Sequence, residues 1–154
     1  MEIVPLADRK EFIWELAELH QLEWRHLDPS LTLEKRADEI SKAAGRNGIP
    51  SIFIAAFKNK LIGSAALVKH DLKSKPNLYP CLAAVYVKEK FRNQGIASAL
   101  IAKCEYEASQ SGYDVWYLST EFASKLYEKL GWKHLEQYEY NRVILNIMSK
   151  RIGN

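Results

Sequence analysis

The sequence predicts an α/β fold whose single sheet is mixed, with parallel and antiparallel strands as in α+β proteins. Three observations lead to this prediction. Along the 154 residues the order is strand, two helices, three strands, helix, strand, helix and two strands. Cys81–Val87 is nearly all apolar, which is typical of a strand buried on both faces. The strand–helix–strand unit from Cys81 to Ser119 predicts a right-handed parallel crossover. A ligand is then expected beyond the carboxyl end of the first of these strands, after Val87.

Apolar spacing and turn residues define the elements of the first half. Phe12, Leu16 and Leu19 recur at helical spacing, and Thr32 suits the N-cap of a second helix. A turn at Lys58–Lys60 joins two apolar strands into a hairpin. We therefore expect a strand at Glu2–Pro5, helices at Asp8–His26 and Thr32–Ala44, and strands at Ser51–Phe57 and Leu61–Lys69.

The second half follows the same reasoning. After Cys81–Val87, a helix that begins near Ile96 carries one apolar face and ends at Gly112. Gly131 stands where the C-cap of a later helix belongs. The remaining elements are a strand at Asp114–Ser119, a helix at Glu121–Leu130, and a final strand pair at Trp132–Gln137 and Arg142–Met148.

Composition limits the class of protein. With 47% hydrophobic residues, the chain can bury a core as a single domain, 1–154. A net charge of +3 is too small and dispersed for a nucleic-acid-binding face. Two cysteines make neither a disulfide framework nor a zinc site, so no metal is expected. No signal peptide or membrane-length apolar run is visible, which predicts a cytoplasmic protein that does not bind membranes.

The loop after the central strand has the features of an anion site. In Val87–Ala97 a strand runs into a turn whose Gly95 and Ala97 allow a ligand to approach the backbone closely. The following helix presents unpaired N–H groups and the positive end of its dipole, a combination that suits a pyrophosphate. On local evidence alone, a tight turn with a helix cap is the alternative.

The same stretch resembles a motif of the GNAT superfamily of acetyltransferases. Val87–Ala97 aligns without gaps with the pattern Val-x-Pro-x-Tyr-Arg-Gly-x-Gly-Ile-Gly, in which Arg92 and Gly95 are identical. Glu89 replaces the common proline, and Asn93 replaces the first glycine. The turn therefore looks like the phosphate-binding loop of that family.

A second stretch supports the resemblance. Ala123–Trp132 is similar to the Ala-x-x-x-Tyr-Glu-x-x-Gly-Phe segment of the family, with Thr120 where an Asn is frequent. Gly63–Val68 and Tyr79–Val87 are similar to bacterial members of unassigned substrate. The resemblance covers nearly the whole chain and implies the acyl-CoA N-acyltransferase fold, with about seven strands and helices on both faces.

The resemblance also implies how acetyl-CoA, the expected cosubstrate, is held. Pyrophosphate oxygens would bind N–H groups of Arg92 to Ala97, and the pantetheine arm would pair with Val85–Val87 like an added strand. An N–H near Val85 or Val87 would polarise the thioester carbonyl. The expected cofactor-binding residues are Val85, Tyr86, Val87, Arg92, Asn93, Gln94, Gly95, Ile96, Ala97, Ser98, Thr120 and Ala123.

Tyr127 matches the general acid of the family, with core packing as the alternative role. Many relatives place a glutamate on the strand before the phosphate loop, but Cys81–Val87 holds no carboxylate. His70 and Asp71 are the best remaining candidates for the base or a substrate contact, and a water chain is the other route for the proton.

Two functions are consistent with these residues. The first is an N-acetyltransferase acting by direct attack of a primary amine, from a small molecule or a peptide, on acetyl-CoA. The second is a non-catalytic acyl-CoA-binding or regulatory module, which the missing strand carboxylate favours. The lysines at 69, 73 and 75 argue against a polycationic acceptor. A monomer and a homodimer are both compatible with the sequence, as are acetyl and longer acyl donors.

Overall fold

The computed structural model describes residues 1–153 and contains a seven-stranded mixed sheet. Each strand ends near its predicted boundary, and the last two are longer than expected because they pair along a hairpin turned at Asn141 and Arg142. The strands are β1 (Glu2–Pro5), β2 (Ser51–Phe57), β3 (Lys60–Val68), β4 (Cys81–Val87), β5 (Val115–Thr120), β6 (Lys133–Tyr140) and β7 (Val143–Arg151). Their order in the sheet is β1-β2-β3-β4-β5-β7-β6.

Four α-helices connect the strands. They are α1 (Ile13–Trp24), α2 (Leu33–Ala43), α3 (Ile96–Ser109) and α4 (Ser124–Lys129). The Thr32 hydroxyl caps α2 by accepting the Lys35 backbone N–H at 3.2 Å, as predicted. Two short 3₁₀ turns, Leu6–Asp8 and Lys10–Phe12, replace the start of the first predicted helix. Within residues 1–153 no helix has the length and apolarity needed to cross a membrane.

The helices cover both faces of the sheet, as the predicted fold requires. Along β2, Phe53 and Ala55 belong to the core formed with α3, whereas Ile52 and Ile54 belong to the core formed with α1 and α2. This alternation follows from the two-residue period of a strand. Because both of its faces are buried, β2 reads as a continuous apolar run.

The middle of β4 pairs irregularly with β3 on one side and does not pair with β5 on the other. The β3–β4 register shifts between Ser64 and Ala66, which leaves a bulge with Ala84 in the left-handed region at φ 53°. On its other side β4 runs parallel to β5, and in the described part of the chain the two strands pair at Cys81 and Tyr117 alone. The strands therefore diverge beyond the pair formed by Cys81 and Tyr117.

This divergence corrects one prediction. β4 was expected to be buried on both faces, but Ala83–Tyr86 are only half-buried, whereas the ends of the strand are buried. Small apolar residues stand there because the strand borders an opening, so its apolar composition does not reflect full burial. A second difference is that α4 begins at Ser124 and not at Glu121.

Candidate active site

A cavity of about 310 Å³ opens where β4 and β5 diverge. Ala83–Val85 of β4 form one wall and Leu118–Thr120 of β5 form the other. The end of α1, the loop after β3 and Tyr140 of β6 complete the opening. The cavity therefore reaches the carboxyl end of β5 but borders the middle of β4, so it begins before the segment after Val87 where the sequence predicted the ligand.

The loop between β4 and α3 is shaped as an N-terminal helix cap. Gly95 precedes the helix in the left-handed region at φ 82°, and a Cβ at this position would meet no atom within 4 Å. The first intrahelical bond is donated by the Ala99 N–H to the Gly95 carbonyl at 3.0 Å. The N–H groups of Ile96, Ala97 and Ser98 therefore have no acceptor within the helix and can bind an anion.

Arg92 fixes this loop against the end of β4. Its Nε donates to the Val87 carbonyl at 2.7 Å. Its guanidinium lies 5.7 Å from the centroid of the Tyr86 ring, within the range of a cation–π contact. Asn93, the next residue, has a left-handed backbone at φ 63°, which asparagine tolerates better than most residues. Arg92 thus supports the loop structurally, in addition to any charge it offers a ligand.

Tyr127 lies in the cavity wall on α4 and is 6% exposed. Thr120 helps to place this helix, because its hydroxyl accepts the Ala123 N–H at 3.0 Å. The Tyr127 ring meets the edge of Trp132 with centroids 6.0 Å apart. Burial raises the pKa of Tyr127 above its ordinary value, and the negative charge of Asp71 raises it further. The phenol therefore keeps its proton at neutral pH.

Asp71 lies in the same cavity, at the start of the loop after β3. The protein atoms packed around its carboxyl group raise its pKa to about 6, although the residue remains accessible from the opening. The Ser119 hydroxyl donates to the carboxylate at 3.2 Å and offsets part of this rise. Asp71 can therefore change protonation state near neutral pH.

His70 and Cys81 are not placed for chemistry in this cavity. The His70 ring packs against Tyr79, with centroids 5.6 Å apart, and does not line the opening. Cys81 donates its thiol to the Leu78 carbonyl at 3.2 Å. Burial and the charge of Asp71 raise the pKa of Cys81 to about 12, so the thiolate is not available as a nucleophile.

Acidic side chains line the cavity wall between α1 and β6, and the sequence analysis did not predict that they lie together. Asp28 accepts the Tyr140 hydroxyl at 2.6 Å, and this bond raises the pKa of Tyr140 to about 12. Glu121 accepts from the His26 ring at 2.8 Å, and Glu23 lines the same opening. Cavity-lining carboxylates thus come from α1, from the loop after it and from the loop after β5.

The three lysines that were expected near the acceptor do not line the cavity, whereas one arginine does. None of the three lysines at 69, 73 and 75 lines the cavity, and Lys75 pairs with Glu136 at 2.6 Å. Arg36 of α2 does line it, but its Nε is bound to Gln21 Oε1 at 2.7 Å. The lysines therefore give no argument against a polycationic acceptor, and the positive charge in the wall comes from Arg36 instead.

The structure brings five of the predicted site residues into one cavity and arranges the others beside it. Val85, Thr120, Ala123, Asp71 and Tyr127 line the opening. The remaining predicted cofactor residues belong to the end of β4 and to the loop and first turn of α3. The wall residues that the sequence did not predict include His20, Glu23, Asp28, Arg36, Glu121 and Tyr140.

Comparison with known proteins identifies the family of this chain. A family model described as an acetyltransferase (GNAT) domain matches residues 49–134. An uncharacterized N-acetyltransferase of Chlorobaculum tepidum is 28% identical over 89 residues, which is 58% of this chain and 54% of that protein. The match therefore spans about half the length of that relative.

Solved structures share the fold across the whole chain. An aminoglycoside 6'-N-acetyltransferase complexed with coenzyme A has a TM-score of 0.79 at 19% identity, with 100% of this chain and 98% of that chain covered. An aminoglycoside 6'-N-acetyltransferase from Enterococcus faecium has a TM-score of 0.75 at 18% identity, with coverage of 100% and 98%. These likenesses confirm the predicted fold.

The raised pKa of Asp71 predicts a pH-dependent stability difference. Between about pH 4 and 6 the folded chain binds more protons at this site than the unfolded chain, so the wild type loses stability as pH rises through that window. The side chain of the Asp71→Asn variant cannot ionise, so the variant does not lose this stability. Because solvent reaches the carboxyl group, we expect the variant to gain only about 1 kcal/mol or less relative to wild type between these limits.

Urea unfolding of both proteins at about pH 4 and about pH 7.5 measures this difference. Other groups that titrate in this range, such as the buried His20, cancel when the two proteins are compared at each pH. An identical stability difference at both pH values would show that the pKa of Asp71 is not raised in the folded protein.

Proposed function

Because the chain belongs to the GNAT acetyltransferase family, whose model matches more than half of it, we propose that it transfers an acetyl group from acetyl-CoA to a primary amine. The observation that carries the proposal is the divergence of β4 from β5. It opens a cavity that holds Tyr127 and Asp71, and the chain continues from the β4 wall of this cavity into the proposed anion-binding start of α3. A thioester, a proton donor and a proton acceptor can meet there.

Acetyl-CoA would lie along β4 with its pyrophosphate at the start of α3. The N–H groups from Asn93 to Ser98 would bind the phosphate oxygens. The Arg92 N–H, which was predicted to join them, instead donates to the Glu89 carbonyl at 3.2 Å. Beyond Cys81, the edge of β4 that faces β5 is not paired with that strand, so its backbone groups are available to the amides of the pantetheine arm. Thr120 and Ala123 would contact the arm from the opposite wall.

The reaction is a direct displacement at the thioester. The amine nitrogen bonds to the carbonyl carbon, the carbon–sulfur bond breaks, and the thiolate takes the Tyr127 proton. The excess proton on the amine passes to Asp71, directly or through water. Between the two neighbours predicted as candidates for the base, we assign the role to Asp71, because His70 packs against Tyr79 outside the cavity.

The acceptor is proposed to be a small molecule or a peptide whose amine reaches the cavity as an ammonium ion. Glu23, Asp28 and Glu121 line the wall and would attract this charge. Loss of one ammonium proton to solvent creates the neutral nucleophile, and Asp71 accepts the second proton, which the nitrogen releases after attack; this proton can then restore Tyr127. The acidic wall favours cationic acceptors over acceptors that carry a carboxylate near the amine.

The alternative function, a non-catalytic acyl-CoA-binding module, is tested by release of free thiol. The protein is incubated with acetyl-CoA and a panel of primary amines, and coenzyme A binding is measured by calorimetry. We expect thiol release only when an acceptor is present. Tight binding without turnover on any amine would support the module, and a folded protein that binds no coenzyme A would contradict both functions.

Replacement of Tyr127 by Phe should remove the general acid. We expect kcat to fall by roughly a hundred-fold or more, with little change in affinity for coenzyme A, because the ring and its packing remain. Tyr117→Phe is a matched control, since Tyr117 lies on β5 and does not line the cavity. Full turnover by Tyr127→Phe on an accepted amine would exclude the acid role.

The proposed base predicts a pH profile. In wild type, kcat/KM should rise with pH through about 6, because Asp71 accepts a proton only when ionised. The Asp71→Asn variant should not show this rise near pH 6, and its rate at neutral pH should be at least about tenfold lower than that of wild type. A second rise at higher pH, caused by deprotonation of the acceptor amine, should remain. A variant that keeps the rise near pH 6 would place the base on another group.

A further inference from the structure

We propose that His20 and Ser64 are positioning residues that hold the β4 bulge at Ala84 and so fix the backbone that faces the thioester. The proposal rests on the proposed acetyl transfer. Neither residue belongs to the acid–base pair or to the phosphate loop. Ser64 acts through the backbone of β4, and His20, whose side chain also lines the cavity, acts through Ser64.

Ser64 holds the bulge directly. The register places Ser64 opposite Tyr86 and Ala66 opposite Ala83, so Ala65 faces the two bulged residues. This irregularity interrupts the regular backbone ladder at Ala84. The Ser64 hydroxyl donates to the Ala84 carbonyl at 2.8 Å, and the Ser64 residue is 0% exposed.

His20 determines which way the Ser64 hydroxyl points. Its Nε2 lies 2.9 Å from Ser64 Oγ. A hydroxyl has one hydrogen, and Ser64 uses it on the Ala84 carbonyl, so Ser64 must accept a hydrogen bond from the His20 Nε2–H. His20 is 3% exposed, and burial, aided by the charge of Arg36, lowers its pKa to about 3. The ring is therefore neutral, with its proton on Nε2.

The ring itself is held by aromatic neighbours. The centroids of His20 and Trp24 lie 4.9 Å apart, and those of His20 and Tyr86 lie 6.3 Å apart, both in edge-on arrangements. Tyr86 belongs to β4 and Trp24 to the last turn of α1. The hydrogen-bond chain from His20 through Ser64 to Ala84 thus joins α1, β3 and β4, and its two end residues, His20 and Ala84, line the cavity.

The bulge requires such support because its backbone is strained. Ala84 has φ 53°, a region that residues with a Cβ rarely adopt and keep only when the surroundings enforce it. Ala83, Ala84 and Val85 all line the cavity. If Ser64 or His20 lost its hydrogen bond, the segment could relax toward a regular strand and move its peptide groups.

A shift of this kind matters for the reaction more than for binding. A backbone N–H stabilises a developing oxyanion only when it lies within about 3 Å of that oxygen, and loss of one such donor costs about 10²- to 10³-fold in kcat. A displaced donor should cost less than a deleted one. Coenzyme A affinity should change less than kcat, because the proposed contacts with the loop before α3 and with the rest of β4 remain.

Ser64→Ala and His20→Phe test the proposal. We expect kcat to fall about 10- to 100-fold in each, with the Kd for coenzyme A within about threefold of wild type. His20→Gln retains an N–H near the position of Nε2 and should recover most of the activity lost in His20→Phe. This rescue distinguishes a hydrogen-bond role from ring packing.

Ser51→Ala is the matched control for Ser64→Ala. Ser51 is also 0% exposed, and its hydroxyl donates to the Gly48 carbonyl at 2.7 Å, but it lies on β2 away from the cavity. Both variants remove one buried hydroxyl, so both should lose stability. Only Ser64→Ala should lose turnover, and equal kcat values in the two variants would overturn the proposal.

An infrared measurement separates this proposal from the proposed function. The carbonyl stretch of bound acetyl-CoA, labelled with ¹³C at the thioester, should lie at lower frequency in wild type than in Ser64→Ala, because a donor polarises it. An unchanged frequency would contradict the positioning role even if wild type transfers acetyl groups. If wild type bound acetyl-CoA but transferred nothing, the proposed function would fail, and the frequency difference would still test the bulge.

Discussion

The divergence of two parallel strands underlies the whole site. β4 and β5 pair at Cys81 and Tyr117 and then diverge, which leaves peptide groups on the facing edges of both strands. Buried backbone groups need hydrogen-bond partners, so an opening of this kind must admit water or a ligand that carries its own amides. The pantetheine arm of coenzyme A is such a ligand. The same opening lets side chains from α1, the β3–β4 loop and α4 reach one cavity.

Burial then assigns different tasks to the titratable groups around the opening. It raises the pKa of Tyr127, which keeps the phenol protonated, and desolvation by neighbouring atoms raises the pKa of the solvent-accessible Asp71 to about 6. It lowers the pKa of His20 to about 3, which keeps that ring neutral and suited to a fixed hydrogen bond. One physical cause, desolvation, thus sets the protonation states on which the proposed acid, the proposed base and the proposed positioning residue depend.

The sequence predicts local structure better than it predicts the site. The Thr32 cap, the turn at Lys58 and Asn59 and the helix end at Gly131 depend on neighbouring residues, so composition and spacing are enough to locate them. The half-buried middle of β4 was missed, because small apolar residues suit a ligand-facing strand as well as a buried one. The contact between Asp28 and Tyr140 joins residues 112 apart, and no local pattern reports it.

The absence of a carboxylate on β4 is weak evidence against catalysis, because the cavity contains a carboxylate from another element. A base has to reach the acceptor nitrogen, and this requirement does not specify which element supplies it. In this chain Asp71 enters the opening from the loop after β3, and Ser119 on the opposite wall holds it at 3.2 Å. The central residues of β4 are then free to be small and apolar, which suits a strand whose backbone must lie against a thioester. The feature that favoured a non-catalytic module is therefore compatible with an enzyme whose base has another origin in the fold.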